Sequence, residues 1–312
     1  RFNSDFSGEW LELSNLAGTQ AAPSGTTFTF GDATSDAYLN TRLAADKKGA
    51  TPMDRPEWGA VNPVNGEVYM TLTKNAGRTV ALTEPANPRS YMDNPGQTTT
   101  GNPNGHIIRW REMGSNPAAT SFTWDIYVFG AESDDLNNKN VNLSGLTADN
   151  FLSAPDGLWF SEKTGIMYIQ TDDGAFTDET NCMLLASVPG KVGDGGEFYI
   201  DNTLVSGTSS SNNVTRTFVG GILGESRLRR FLVAPKGAEV TGMTETPDGK
   251  AIFVNIQHPG ENTPAIGTAA SFTLESQWPG NGGGLTAAHG PAGRPRSATL
   301  IITKNDGGKV GL

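Results

Sequence analysis

PEWGAVNPVNGEVYMTLTKN, running from Pro56 to Asn75, reads as a strand, a tight turn at Gly66 and a second strand, EVYMTLT. The same plan returns in PDGLWFSEKTGIMYIQTDD (Pro155 to Asp173) and in AEVTGMTETPDGKAIFVNIQH (Ala238 to His258). The turn glycines are Gly66, Gly165 and Gly249, and the strands after them are EVYMTLT, IMYIQTD and AIFVNIQ. One hairpin is therefore written three times.

Each hairpin is followed by a further strand, in HIIRWRE from His106, CMLLASV from Cys182 and SATLIITK from Ser297. A fourth strand fits SFTWDIYVFG after the first hairpin, and either TRTFVGGI or RRFLVAP after the second. Four antiparallel strands repeated at a period of roughly 80 to 100 residues are the signature of β-propeller blades. The fold class is thus all-β, a β-propeller of about three blades in this chain, with extra N-terminal strands in GEWLELSNL and TTFTFGD. Residues 1–312 read as a single domain, part of a propeller whose other blades lie outside the chain. The long polar tracts, among them NPRSYMDNPGQTTTGNPNG and GNGGGLTAAHGPAGRPRS, read as surface excursions. One helix is expected around DAYLNTRLAADKKGA, with Leu39, Leu43 and Ala44 at helical spacing and Gly49 as its stop.

Composition agrees with a turn-rich β protein: 39 Gly and 18 Pro in 312 residues leave little room for long helices. A formal net charge of −10 disfavours binding to nucleic acid or an anionic membrane and suits a protein that holds cations. The single cysteine, Cys182, lies in the apolar run NCMLLASV and reads as a core thiol, so no disulfide framework or zinc-type cluster is possible within the chain. No apolar run approaches the roughly 18 residues of a membrane span. The opening RFNSDF lacks a Met, which reads as a processed or cleaved start.

The repeat aligns acids. Glu57 lies nine residues before Gly66, Asp156 nine before Gly165, and Glu239 ten before Gly249. In a propeller the first strand of each blade lines the channel, so these carboxylates would meet around the axis at one end. Carboxylates that converge repel unless a proton or a hard cation neutralises them, which points to an oxygen-liganded, calcium-like metal. Asp172 and Asp173 end the second hairpin, while Asn75 and His258 end the other two, giving further ligands or residues that support them. Arg55, two residues before Glu57, would share its strand face and could offer a planar fork to phosphate or carboxylate; Asp54 is the acid it could pair with instead. Pro56 would stiffen the strand entry and Trp58 would turn to the opposite side to pack. Arg227, Arg229, Arg230 and Lys236 read as solvated charge or loop packing, and no H-E-x-x-H, G-x-S-x-G or P-loop spacing is present; the histidines are His106, His258 and His289.

The strings GATPMDRPEW, GHIIRW, FTWDIYVFGAE, SAPDGLWF with YIQTDDG, and RRFLVAPKGAEVTG with TPDGKAIFVNIQHPGE together resemble the PhoX-type alkaline phosphatases, in the same order from about Gly49 to Glu261. The resemblance implies a six-bladed propeller with an axial site of iron and calcium that cleaves phosphate monoesters, in an exported bacterial protein of the periplasm or exterior carried by a twin-arginine signal. It implies that Glu57, Asp156 and Glu239, with Asp172, are metal ligands, and that Arg55 grips the phosphate. Asp54, Asn75 and His258 would support them. The resemblance covers the C-terminal half of the family, and Cys182 stands in a different context from the family's iron-binding cysteine. The expectation is a phosphatase when complete, with the N-terminal half as a possible separate partner chain. Two other classes remain open: a lactonase-like calcium hydrolase of propeller fold, and a non-enzymatic propeller used for binding.

Overall fold

The computed structural model describes residues 1–31, 34–92, 100–172, 180–203, 207–208, 210–263, 274–280 and 295–312. Asp173 and His289, and parts of both long polar tracts, lie outside these described residues.

The chain begins with β1 (Ser7–Glu9), the hairpin β2 (Gly18–Ala21) and β3 (Thr27–Phe30), and two short helices, α1 (Thr34–Leu39) and α2 (Thr41–Lys48). The single expected helix is thus broken at Asn40, and Gly49 ends the second piece in the left-handed conformation, φ 70°. Of the three residues expected to form its apolar face, Ala44 is buried while Leu39 is exposed.

The three hairpins follow. β4 (Pro56–Val61) pairs with β5 (Val68–Leu72), then β6 (His106–Glu112) and β7 (Ser121–Phe129) complete an antiparallel run. In the second, β8 (Pro155–Phe160) pairs with β9 (Met167–Thr171) and β9 with β10 (Met183–Ser187). Between β10 and its next partner the chain makes an excursion, β11 (Gly196–Asp201) and β12 (Val214–Val219), before β13 (Leu228–Val233) joins β10. The third sheet holds β14 (Glu239–Glu245), β15 (Ala251–Gln257) and β16 (Ala298–Thr303). The turn glycines Gly66, Gly165 and Gly249 take φ values of 73°, 72° and 71°, a conformation that costs a side-chain-bearing residue about 1–2 kcal/mol.

Of the two candidates for the fourth strand of the second sheet, RRFLV takes the place. TRTFV leaves that sheet and lies parallel to β7, and with β11 and with β1, which pairs with the start of β7, it extends the first sheet to seven strands. Asp194 latches this excursion, accepting from Arg109 Nη2 at 2.6 Å and the Gly221 N–H at 2.7 Å, while Arg109 also holds Asp125 at 2.6 Å. Both Arg109 and Asp125 are fully buried, so removing either would strand a charge.

Two apolar layers fix the stacking of the sheets. Tyr69, Ile107 and Val128 pack against Leu158, Phe160 and Ile169 between the first and second sheets. Tyr168, Leu184 and Cys182 pack against Val240, Ile252 and Val254 between the second and third. Each such side chain contributes about 1.5–3 kcal/mol through burial. Stacked this way, the leading strands β4, β8 and β14 lie side by side with their first residues at one end.

Candidate functional site

Glu57 is the second residue of β4, Asp156 the second of β8 and Glu239 the first of β14. β4 and β8 open in the same irregular way. Pro56 pairs with Leu72 and Gly59 with Met70, so Glu57 and Trp58 together face one residue, Thr71. Pro155 pairs with Thr171 and Leu158 with Ile169, so Asp156 and Gly157 together face Gln170. Each is a β-bulge, which re-aims side chains away from strict alternation. In β14 the extra residue is Gly242 and Glu239 pairs regularly with Gln257.

The residue before each proline is also unusual. Arg55 has φ 50° and Ala154 φ 43°. A residue preceding proline favours extended backbone, and a left-handed one costs about 1–2 kcal/mol. Both copies carry this strain, so it belongs to the presentation of the acid that follows.

A hydroxyl ties the two bulges together. Thr71 is fully buried; its Oγ1 accepts from the Trp58 N–H at 2.9 Å and donates to the Asp156 carbonyl oxygen at 2.7 Å. Sequence reading missed Thr71, although a polar residue recurs at that offset in Gln170. Gln170 is itself buried against Gly157, where an added Cβ would meet its side-chain amide at 2.7 Å.

The acids feel one another. Burial raises the Asp156 pKa to about 6, helped by the charges of Glu57 and Asp172 and opposed by Arg55. Burial raises Glu239 to about 7, with Asp172 and Asp156 adding to it and His258 opposing it. Asp172 itself is exposed. His258, held at φ 36°, places Nε2 3.3 Å from Glu239 and Nδ1 3.1 Å from Glu261. Burial works against its charged form, but the Gly237 carbonyl and these acids outweigh that and raise its pKa.

Arg55 meets Glu57 at 3.5 Å with its side chain 58% exposed. An exposed pair of this kind contributes about 0–1 kcal/mol, less than the backbone strain beside it, and leaves most of the guanidinium's donors open. Asp54 is not its partner. It is fully buried and takes Arg78 Nη2 at 2.7 Å, Asn75 Nδ2 at 2.7 Å and Asn102 Nδ2 at 3.1 Å. Asn75 therefore serves this buried hub, which braces the loop before β4 from below. Trp58 does not turn away to pack, being 48% exposed. Among the basic residues after β12, Arg227 reaches Asp194 at 3.5 Å, Arg230 lies over the Phe151 ring and Lys236 sits 3.7 Å from Glu275.

Among the described residues no three His, Cys, Asp or Glu side chains come close enough to hold one ion among themselves. The donors that gather at this end are carboxylate oxygens with too few cations to neutralise them, a set whose chemistry suits calcium. Among the described residues iron finds no comparable set: Cys182 is buried between the second and third sheets, and both His258 nitrogens face acids.

A family model described as alkaline phosphatase PhoX matches residues 1–260. Among solved structures, the chain is similar to the Pseudomonas fluorescens PhoX in complex with vanadate, a transition state analogue, at 31% identity and a TM-score of 0.60. The similarity covers 98% of this chain and 42% of that one, so the chain spans less than half the length of that protein. That similarity makes the fold propeller-like. A search of curated proteins finds no match, and no described helix is long and apolar enough to cross a membrane. Nothing in these comparisons supports a separate chain that carries further blades.

Proposed function

The chain belongs to the PhoX family of alkaline phosphatases, and from that premise we propose that it contributes the phosphate-gripping side of a metal-dependent phosphomonoesterase. The observation that carries this reading is Arg55, exposed and only weakly paired, standing at 3.5 Å from Glu57 beside an Asp156 whose pKa responds to both. A planar cation next to carboxylates that lack neutralising partners is the arrangement that binds a phosphoryl group and a hard cation together.

In this proposal Glu57, Asp156 and Glu239 would each offer a carboxylate oxygen to calcium, whose shell is completed by donors other than these three, with Asp172 at the exposed rim and His258 orienting Glu239. The bound ion supplies charge neutralisation of the phosphoryl oxygens. Arg55 orients the phosphoryl group through its fork of donors and stabilises the charge that develops on it. Thr71 keeps the bulges of β4 and β8 in register, so that Arg55, Glu57 and Asp156 stay aimed at one point. Iron, which the family resemblance implies, is assigned to no residue of this chain. A six-bladed closed ring, with this chain as its C-terminal part, and export from the cell belong to the same proposal.

The test is hydrolysis of a chromogenic phosphate monoester by the protein supplied with calcium and iron, before and after chelation. Turnover that chelation abolishes and calcium restores supports the reading. No turnover under any metal condition, together with orthophosphate binding that Arg55→Ala leaves intact, overturns it.

A further inference from the structure

From the bulge of β4 runs a groove that the phosphate site does not use. It has a volume of about 270 Å³ and lies between β4 and β8, lined by Trp58, Val61, Pro63, Leu158, Phe160 and Glu162. The face of β4 that borders it is open to solvent: Trp58 is 48% exposed and Val61 57%. A single isolated apolar residue on a surface needs no explanation, but a tryptophan and a valine bordering one concave site do.

The groove starts at the bulge of β4, at Trp58, and runs from there along β4 and β8. Glu57 and Trp58 are the two residues that share Thr71 as their opposite number, so the carboxylate and the indole leave the strand at the same irregularity. The second copy cannot repeat this, because any side chain at Gly157 meets Gln170 at 2.7 Å. Arginine and tryptophan are thus both additions of the first copy, flanking one acid.

Resting on the phosphate reading above, we infer that Trp58 and this groove receive the organic part of the ester and favour an apolar, uncharged aryl or alkyl leaving group. The volume suits one ring or a short chain, being below the range of sites that enclose large ligands. Aromatic side chains stack on rings with a preference worth about 0.5–1.5 kcal/mol beyond area burial. Glu162 at the groove disfavours anionic leaving groups such as further phosphates. Trp58 acts here as a specificity-determining residue, while Arg55 deals with the phosphoryl group common to all substrates.

Titration calorimetry with the calcium-loaded protein, using phenylphosphonate and methylphosphonate as unreactive probes, tests this. The wild type is expected to bind phenylphosphonate about tenfold more tightly. Trp58→Ala should bring the two probes level without changing methylphosphonate affinity, and Trp58→Phe should keep most of the preference. The position is exposed, so these variants retain the core. Equal binding of both probes by the wild type, or a preference that survives Trp58→Ala, overturns the inference and leaves the phosphate site standing. Binding of neither probe overturns the phosphate site and the inference with it.

Discussion

In β4 the bulge presents Glu57 and Trp58 across from Thr71, and in β8 it presents Asp156 and Gly157 across from Gln170. The backbones match down to the left-handed residue before each proline, Arg55 in one and Ala154 in the other. The side chains do not. The first copy surrounds its acid with a cation, an indole and, one residue earlier, the buried Asp54; the second has Ala154, Gly157 and Ser153 at those places. Because Ala154 accepts the same strain with no functional side chain of its own, the strained backbone serves to aim the acid. In the proposed reading, only one of the two equivalent frames carries binding chemistry.

The strongest way to break the comparison is to remove what braces the first frame. Asp54→Ala leaves Arg78 buried without its acid and is expected to cost about 3–5 kcal/mol in chemical denaturation. Ser153→Ala, at the matching place in the second copy, removes only a hydroxyl that donates to Asn104 and should cost far less.

Arg55→Ala converts the first frame into a likeness of the second. Phosphomonoesterase kcat/KM should fall about 10²–10³-fold, the loss typical of one preorganised donor. Stability should change by less than about 1 kcal/mol, since the pair to Glu57 is exposed. A large loss of stability with unchanged activity would make Arg55 a structural residue.

Calcium asks whether the two frames share one ion. Asp156 and Glu239 have pKa values raised to about 6 and about 7, so the folded protein holds their protons more tightly than the unfolded chain does. The stability they contribute is present below the ordinary carboxylate range and is lost as pH rises through those values. Thermal melts of the metal-free protein should therefore show a Tm that falls between about pH 4 and pH 7. Added calcium takes the protons' place, and its stabilisation should grow over the same range, reaching about 2.7 kcal/mol at a hundredfold excess over Kd. A calcium effect independent of pH would place the ion elsewhere.

Ala154→Gly gives the smallest effect and the most direct reading of the strain. A glycine accepts φ 43° without penalty, so stability should rise by up to about 1 kcal/mol after its added chain entropy is counted. A loss would show that the contacts of the buried Ala154 methyl outweigh the strain.

Much of the frame was legible from local pattern. Gly66, Gly165 and Gly249 mark left-handed turns that favour a residue without a Cβ, and the alternation after them marks strands, so three hairpins could be placed from sequence. The burial of Cys182 and the end of α2 at Gly49 follow from equally local signals. The site was harder to see. Alternation sends Trp58 away from Glu57, and only a bulge, one extra residue in a pairing register, reverses that. Asp54 stands next to Arg55 in the chain, yet its partner is Arg78, which comes from a loop beyond β5. Nothing local separated TRTFV from RRFLV as the fourth strand of the second sheet.

The sequence by itself determined the repeating hairpin, the three acids at matched offsets and the arginine unique to the first copy, because turns and periodicity depend on a few neighbouring residues. Only the tertiary structure decided that Arg55 meets Glu57 while Asp54 meets Arg78, that Thr71 joins the bulges of β4 and β8, and that Trp58 opens onto a groove between β4 and β8. Those outcomes depend on pairing register and on which sheet packs against which, and such long-range contacts leave no periodic trace in the chain that makes them.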